Sequence, residues 1–268
     1  MKFLDFIQKC VDWYHACLPR KKPDEGLTEK ARLIAHRGAH DRNKQIFENT
    51  HEAFARALKL GCWGIEFDVR ETADQILVVH HDATLNRLWG KDIAIKGITF
   101  HKLRQMVPQI PSLEEVINTY GKRMHLFIEL KTPFSAEAQL KEILQALTPC
   151  EDYHLLSLNE QIFASFSQFP KQALLLVAEH NNVKKFCDLS LQKRYGGVLG
   201  HYVLMTQNRL EQLRAGEKQA IGVGMVDSKF SLYRELNRGI PWLFSNNVAA
   251  LSGYLQELKA AVKNTTHD

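Results

Sequence analysis

A chain of 268 residues, 45% hydrophobic and 24% charged, has enough apolar material for a large core and is excluded from the disordered and low-complexity classes. One barrel of about 250 residues would use nearly all of it. The formal charge of +5 is mild and spread along the chain with no basic–aromatic cluster, which argues against a nucleic-acid partner and allows an anionic substrate.

At the N-terminus, apolar residues at Phe3, Leu4, Ile7, Cys10, Val11, Tyr14 and Leu18 recur at helical spacing, which predicts a helix over residues 1–18. Asp5, Lys9 and Asp12 interrupt it too often for a signal-peptide core or a membrane span. The missing signal favours a cytoplasmic location. Pro19 and the bases Arg20, Lys21 and Lys22 end the pattern. Such a helix packs on the barrel or on a partner. The alternative is peripheral membrane contact, with Phe3, Phe6 and Trp13 in lipid and the three bases at head groups. Asp5 and Asp12 weaken attraction to anionic lipid and favour the first reading. The five cysteines (Cys10, Cys17, Cys62, Cys150 and Cys187) form no C-x-x-C pair, fit a reducing compartment and read as structural.

From Arg32 onward, short apolar runs alternate with helix-patterned stretches. The runs cover residues 33–35, 64–69, 126–130, 155–158, 174–178, 197–199, 221–226 and 242–245. Most are nearly continuous in apolar character, as parallel strands buried on both faces must be. Helices are expected over residues 50–60, 112–120, 136–147, 160–166, 183–193, 207–215, 229–237 and 248–262. Eight strand–helix units predict a (β/α)8 TIM barrel rather than an open doubly wound sheet. No G-x-G-x-x-G or P-loop sequence opens any of the helices. The alternation breaks after the second strand, where an extra strand-like run at residues 76–80 begins an insertion over about residues 72–110. Connections of that length are functional or disordered. The chain therefore divides into an N-terminal helix and linker (residues 1–30), the barrel (31–262) and a short tail (263–268).

Reactive groups of such a barrel sit at the C-terminal ends of its strands. The first strand ends in His36-Arg37-Gly38, the second in Glu66-Phe67-Asp68 and the third in Glu129-Leu130-Lys131. Strand side chains alternate, so Glu66 and Asp68 share a face, as do Glu129 and Lys131. That face is the inner one if Ile65, Phe67 and Val69 pack on helices. Singly, a carboxylate pair on a strand is an ordinary solvated face and a lone histidine is usually structural. Three carboxylates converging inside a barrel repel and are costly to ionise, a conflict that one divalent cation resolves. All-oxygen ligation suits Mg²⁺ or Ca²⁺ better than zinc.

Several motifs carry a resemblance. They are His36-Arg37-Gly38, Glu48-Asn49-Thr50, Gly64-Ile65-Glu66-Phe67-Asp68-Val69, the run from Val78 through His80-His81-Asp82 to Arg87, Ile110-Pro111-Ser112-Leu113, and Ile128-Glu129-Leu130-Lys131. In order and spacing they resemble the signature of the glycerophosphodiester phosphodiesterase family, strongly from Ile34 to Lys131 and more faintly to about Leu255. The resemblance implies a barrel with a small insertion after the second strand. It also implies metal-dependent hydrolysis of glycerophosphodiesters to an alcohol and glycerol 3-phosphate. Carried over by position, His36 and His81 match the acid–base pair, His81 being chosen over His80 because it directly precedes Asp82. Glu66, Asp68 and Glu129 match the metal ligands, Arg37 and Lys131 the phosphate contacts, and Glu48 the surrounding shell. Glu48 also reads as an acidic residue favoured at the start of the helix after Thr50.

The sequence departs from the family pattern in four places, one being Leu88-Trp89-Gly90 where a threonine-rich stretch usually follows the arginine matched by Arg87. The usual Asp-Gly turn reads Asp74-Gln75, the insertion is short and basic, and Gly224-Met225-Val226-Asp227 stands where a Trp-Thr-Val-Asn run is common. The altered seventh strand and the N-terminal helix keep open a lipid-directed relative, acting on lysophospholipid or sphingomyelin-type diesters as a lysophospholipase D or sphingomyelinase D would. A non-catalytic barrel binding a phosphorylated ligand is opposed by the complete set of histidines, carboxylates and cations.

Overall fold

A computed structural model of the chain describes the backbone of residues 2–216 and 219–265, with side chains from residue 10 to 260 within that span. Nine strands form: β1 Arg32–His36, β2 Gly64–Glu71, β3 Leu77–Val79, β4 His125–Leu130, β5 Tyr153–Ser157, β6 Leu174–Ala178, β7 Gly197–His201, β8 Ala220–Gly224 and β9 Trp242–Ser245. Eight pair in parallel in the order β1-β9-β8-β7-β6-β5-β4-β2, and β1 also pairs with β2, so the sheet closes into a (β/α)8 barrel. Among the described residues only β3 is outside the ring; it lies antiparallel on β2 with Val69 opposite Val79.

The pattern of two buried faces is visible in what each face touches. Ile65, Phe67 and Val69 of β2 pack outward into the main core with Phe54, Ala57 and Tyr120. The barrel interior is filled by Ile34, Phe127, Leu156, Leu175, Leu199 and Phe244. Each such side chain, fully withdrawn from water, contributes about 2–3 kcal/mol. At the N-terminal end of the strands Trp63 stacks on His125 with ring centroids 4.5 Å apart. There His154 Nδ1–H donates to His125 Nε2 at 2.8 Å, and His125 Nδ1–H donates to the Glu151 carbonyl at 2.9 Å. This end is a packed plug.

The helices begin where the sequence supplies caps. Thr50 caps helix His51–Lys59, and Ser112 with Glu115 forms a reciprocal capping box on helix Leu113–Tyr120. Helices Val183–Lys193 and Lys229–Asn237 have the expected ends. Other ends moved: β8 stops at Gly224 rather than Val226, because Met225 adopts φ 65° and leaves the strand. The helix expected over residues 136–147 spans Glu137–Ile143.

The insertion is ordered and has its own small core of Val78, Leu85, Ile95, Leu103, Val107 and Ile110. It contains two helices that the pattern did not announce, Asn86–Trp89 and Phe100–Met106. The departure at Asp74-Gln75 keeps the turn, with Gln75 itself adopting φ 64°.

The N-terminal helix, Lys2–Cys17, packs against helix Lys229–Asn237. Its Asp12 Oδ1 stands 3.4 Å from His201 Nε2 at the end of β7, and the His15 ring meets Tyr202 edge-on at 5.7 Å. Trp13 is 71% exposed and Tyr14 55%. The side chains of Phe3, Asp5 and Phe6 lie outside the described residues, as does the tail beyond residue 265. Of the five cysteines, Cys62 and Cys187 are buried; Cys10, Cys17 and Cys150 are exposed and free, so burial does not account for those three. Among the described residues no helix is long and apolar enough to cross a membrane.

Candidate active site

Because β2 and β4 run side by side with Asp68 opposite Glu129, and β1 aligns His36 with Glu66, the expected residues meet at the C-terminal mouth. Glu66, Asp68 and Glu129 are all buried and offer oxygens within 4.8 Å of one another. Glu66 Oε1 is buried and has no hydrogen-bond partner among the described residues. Burial first, then the charges of Asp68 and Glu129, push the Glu66 pKa well above the usual carboxylate range. Asp68 behaves oppositely: burial opposes its ionisation, but Lys131 and Arg37 hold its pKa far below normal. Lys131 Nζ lies 2.8 Å from Asp68 Oδ1 and also bonds Glu129. Asn49 Nδ2, not singled out as a site residue from sequence, donates to Asp68 Oδ2 at 2.8 Å.

Arg37 is shaped by an uncommon backbone. Its φ of 55° turns the Arg37 N–H toward Glu66 Oε2, 3.0 Å away, while its own carbonyl accepts from Asn49 N–H at 2.9 Å. Non-glycine residues seldom adopt this region outside turns and sites under constraint. The next residue must be glycine for a second reason. Gly38 has φ 81°, and a Cβ there would come within 2.7 Å of Ala53 Cβ and 2.9 Å of Phe54 Cδ1.

Glu48 proves to be a hub. It accepts from Arg37 Nη1 at 3.0 Å, Arg87 Nη2 at 2.6 Å and Asn43 Nδ2 at 2.7 Å. Burial works against its charge, yet Arg87 and Arg37 bring its pKa down to about 2. Arg87 comes from the insertion and also donates to Asp82 Oδ2 at 2.6 Å. Asp82 in turn accepts from His81 Nδ1–H at 2.6 Å. The insertion is thus tied to Arg37 through ionic contacts that local patterning could not reveal.

The two adjacent histidines separate clearly. His80 is buried and both its nitrogens are used, Nδ1 toward the Asp82 carbonyl at 3.0 Å and Nε2 by the Trp89 indole N–H at 3.3 Å. His81 is partly exposed, and burial lowers its pKa while Asp68 and Asp82 oppose that shift. His36 donates from Nδ1–H to Asn246 Oδ1 at 2.8 Å, with Nε2 3.7 Å from Glu66 Oε2. Burial, then the Arg37 charge, lowers the His36 pKa to about 4.

A cavity of about 270 Å³ opens beside these groups, lined by His36, Glu66 and Glu129 together with Leu156, Val177, Leu199, Leu204 and Phe244. Its wall also includes Glu179, His180 and His201, so acidic and imidazole groups share it with an apolar surface. The arrangement suits an anionic group with a less polar substituent.

Residues 36–192, more than half of the chain, match the model of the glycerophosphoryl diester phosphodiesterase family. A glycerophosphodiester phosphodiesterase of Caldanaerobacter subterraneus is 31% identical over 163 residues, covering 56% of this chain and 64% of that relative, so the chain spans just under two thirds of its length. A glycerophosphodiester phosphodiesterase structure from Thermotoga maritima superposes with a TM-score of 0.72 at 25% identity, over 82% of this chain and 96% of that one. An Oleispira antarctica phosphodiesterase, solved with the product sn-glycerol-3-phosphate, shares the fold with a TM-score of 0.66 at 21% identity, over 87% of this chain and 96% of its own. On the family match, and with the closed barrel and its mouth in place, the chain belongs to the glycerophosphoryl diester phosphodiesterase family.

Proposed function

We propose that the chain hydrolyses glycerophosphodiesters to an alcohol and glycerol 3-phosphate, with His36 and His81 as the acid–base pair. One divalent cation, Mg²⁺ or Ca²⁺, would be held by Glu66, Asp68 and Glu129. The observation that carries this reading is the meeting of three buried carboxylates with Arg37, Lys131 and His36 at one mouth. The residues fit a cation: Glu66 Oε1 is buried without a partner, and the donor set is all oxygen, as hard ions prefer. When bound, the cation would polarise a phosphoryl oxygen and offset charge that builds during displacement.

The chain's own residues divide the remaining work. Arg37, anchored by Glu48 and by Asp68 at 3.3 Å, stays charged and can direct guanidinium N–H groups at the phosphodiester. Lys131 supplies a compact charge beside it. His36 donates from Nδ1 to Asn246, which leaves the Nε2 lone pair for the proton of the nucleophile, water or the glycerol 2-hydroxyl. His81 is oriented by the Asp82 carboxylate, which accepts its Nδ1–H and works against the lowering of its pKa by burial, and it is assigned the protonation of the departing alkoxide. The reading assigns the activity to the barrel, residues 31–262, and sets residues 1–30 apart as a helix and linker. Five free cysteines support a cytoplasmic place.

One observation favours a lipid-directed variant of the same chemistry. Leu156, Val177, Leu199, Leu204 and Phe244 give the cavity an apolar surface, and the N-terminal helix beside β7 exposes Trp13 and Tyr14. A lysophospholipid diester would place its chain there and reach the site from a membrane surface.

The deciding experiment is a panel of water-soluble glycerophosphodiesters and lysolipids assayed with Mg²⁺, Ca²⁺ and chelator. Cation-dependent release of glycerol 3-phosphate is expected. Failure to cleave any diester with either ion would sink the reading.

A further inference from the structure

We propose that Asn246 is a positioning residue for His36, and that Asp227 holds Asn246 for that task. The inference rests on the reading of His36 as catalytic and adds how its ring is set. β1 and β9 pair with Ala35 opposite Ser245, which brings the residue after each strand together across the seam of the barrel. His36 Nδ1–H donates to Asn246 Oδ1 at 2.8 Å, although the two are 210 residues apart. The same oxygen accepts from His40 Nε2–H at 3.3 Å, while His40 Nδ1 accepts from Arg42 N–H at 3.1 Å. One amide oxygen thus receives two imidazole N–H groups.

Asn246 is itself fixed from the neighbouring strand end. Asp227 Oδ1 accepts from Asn246 N–H at 2.9 Å and from the Ser245 hydroxyl at 2.7 Å, and Asn247 Nδ2 donates to the Asp227 carbonyl at 3.0 Å. The Asn246 amide nitrogen faces Met225 Sδ at 3.1 Å, so its oxygen is the end left for the histidines. Asp227 closes the Gly224–Asp227 stretch, where this sequence departs from the common family run. In this stretch Asp227 is the residue that holds the Ser245–Asn246 backbone and hydroxyl.

The chemical consequence is a choice of tautomer. An amide oxygen accepts and cannot donate, so it selects the His36 form with its proton on Nδ1. The Nε2 lone pair is then turned toward Glu66 and the cavity. Without the acceptor, both neutral tautomers and other ring rotations become available, and the fraction ready to take a proton falls.

The test reads the ring directly. In ¹⁵N-histidine protein, the His36 signals are identified by their loss in His36→Gln, and their shifts report which nitrogen carries hydrogen. The wild type is expected to show one tautomer with hydrogen on Nδ1, and Asn246→Ala an average of the two. On diester substrate, kcat of Asn246→Ala should fall about ten- to a hundredfold, the range for lost orienting partners, with KM changed less than about twofold. Asn246→Asp keeps the acceptor and should restore the Nδ1–H tautomer, while Asp227→Ala should fall between wild type and Asn246→Ala. If Asn246→Ala does not fold, Asn246→Leu, similar in size and unable to accept, carries the same comparison. A single Nδ1–H tautomer in the variant lacking the acceptor, or an unchanged kcat, would overturn the proposal. A wild type without diesterase activity would instead remove the catalytic reading of His36, and the tautomer result would still stand or fall alone.

Discussion

Lys131 Nζ lies 2.8 Å from Asp68 Oδ1 and also bonds Glu129, so one ammonium serves two of the three buried carboxylates. Removing that charge leaves both acids in a low-dielectric site with less compensation. Lys131→Met is expected to lower kcat/KM for a glycerophosphodiester by about 10²–10³, the usual cost of losing one donor to developing charge. It should also lower unfolding free energy by about 3 kcal/mol in a urea titration. Near-wild-type turnover in a folded Lys131→Met would remove lysine from the phosphate contacts.

Cation binding should be visible without substrate. Glu66, Asp68 and Glu129 stand close together and buried, and Glu66 Oε1 lacks a partner. An ion that binds only the folded chain adds about 2.7 kcal/mol at a hundred times its Kd. Thermal melts with Mg²⁺ or Ca²⁺ should therefore run above melts in EDTA, and Glu66→Gln should narrow that gap. Identical melts at millimolar ion would argue against a site made by these three acids.

A second pH-sensitive centre lies at the opposite end of the barrel. Burial lowers the pKa of His125 to about 4, and burial with the nearby His125 lowers that of His154 to about 3. The unfolded chain takes up both protons near pH 6.5. Stability from this pair is thus complete above about pH 6.5 and is lost as pH falls toward the folded values, by up to about 1.4 kcal/mol per pH unit for each proton. Urea titrations between about pH 7 and pH 5 should show a shallower loss for His154→Phe than for wild type. Parallel pH profiles would show that the pair does not contribute.

The N-terminal helix offers a test of the membrane alternative. Trp13 and Tyr14 are exposed, and Arg20, Lys21 and Lys22 follow the helix. If this face meets lipid, the full chain should co-sediment with anionic liposomes, and Trp13→Ala or removal of residues 1–22 should weaken it several-fold. Equal recovery in the supernatant for all three would leave the helix with its packing role on the barrel alone.

Much of this architecture is readable in the sequence because parallel strands buried on both faces are continuous apolar runs. β6 and β9 occur at the residues where the runs stand, Leu174–Ala178 and Trp242–Ser245. The carboxylates were legible because i and i+2 on a strand share a face, and Glu66 with Asp68 does point inward. Other features depend on partners far along the chain. Glu48 reads locally as an acid favoured near a helix start, yet its strongest partner, Arg87, is 39 residues away in a helix of four residues. Asn246 closes the run Leu243-Phe244-Ser245-Asn246, which resembles the family's last strand, but its bond to a histidine 210 residues away is not written in that run. The early end of β8 rests on one left-handed residue, Met225, which neither composition nor periodicity announces.

The seam between β1 and β9 has a consequence for synthesis. Every charged group proposed for the mouth precedes residue 132, but His36 finds its acceptor only when residue 246 has been made. A chain still on the ribosome would hold the acids and bases of the site on an unclosed sheet, its first strand lacking one neighbour. Competence should therefore arrive late and abruptly, once β9 and Asn246 have left the ribosome and closed on β1. Ribosome-stalled chains ending before β9 should be inactive and open to protease, and chains carrying residues 1–268 plus a linker long enough to clear the ribosome should be neither.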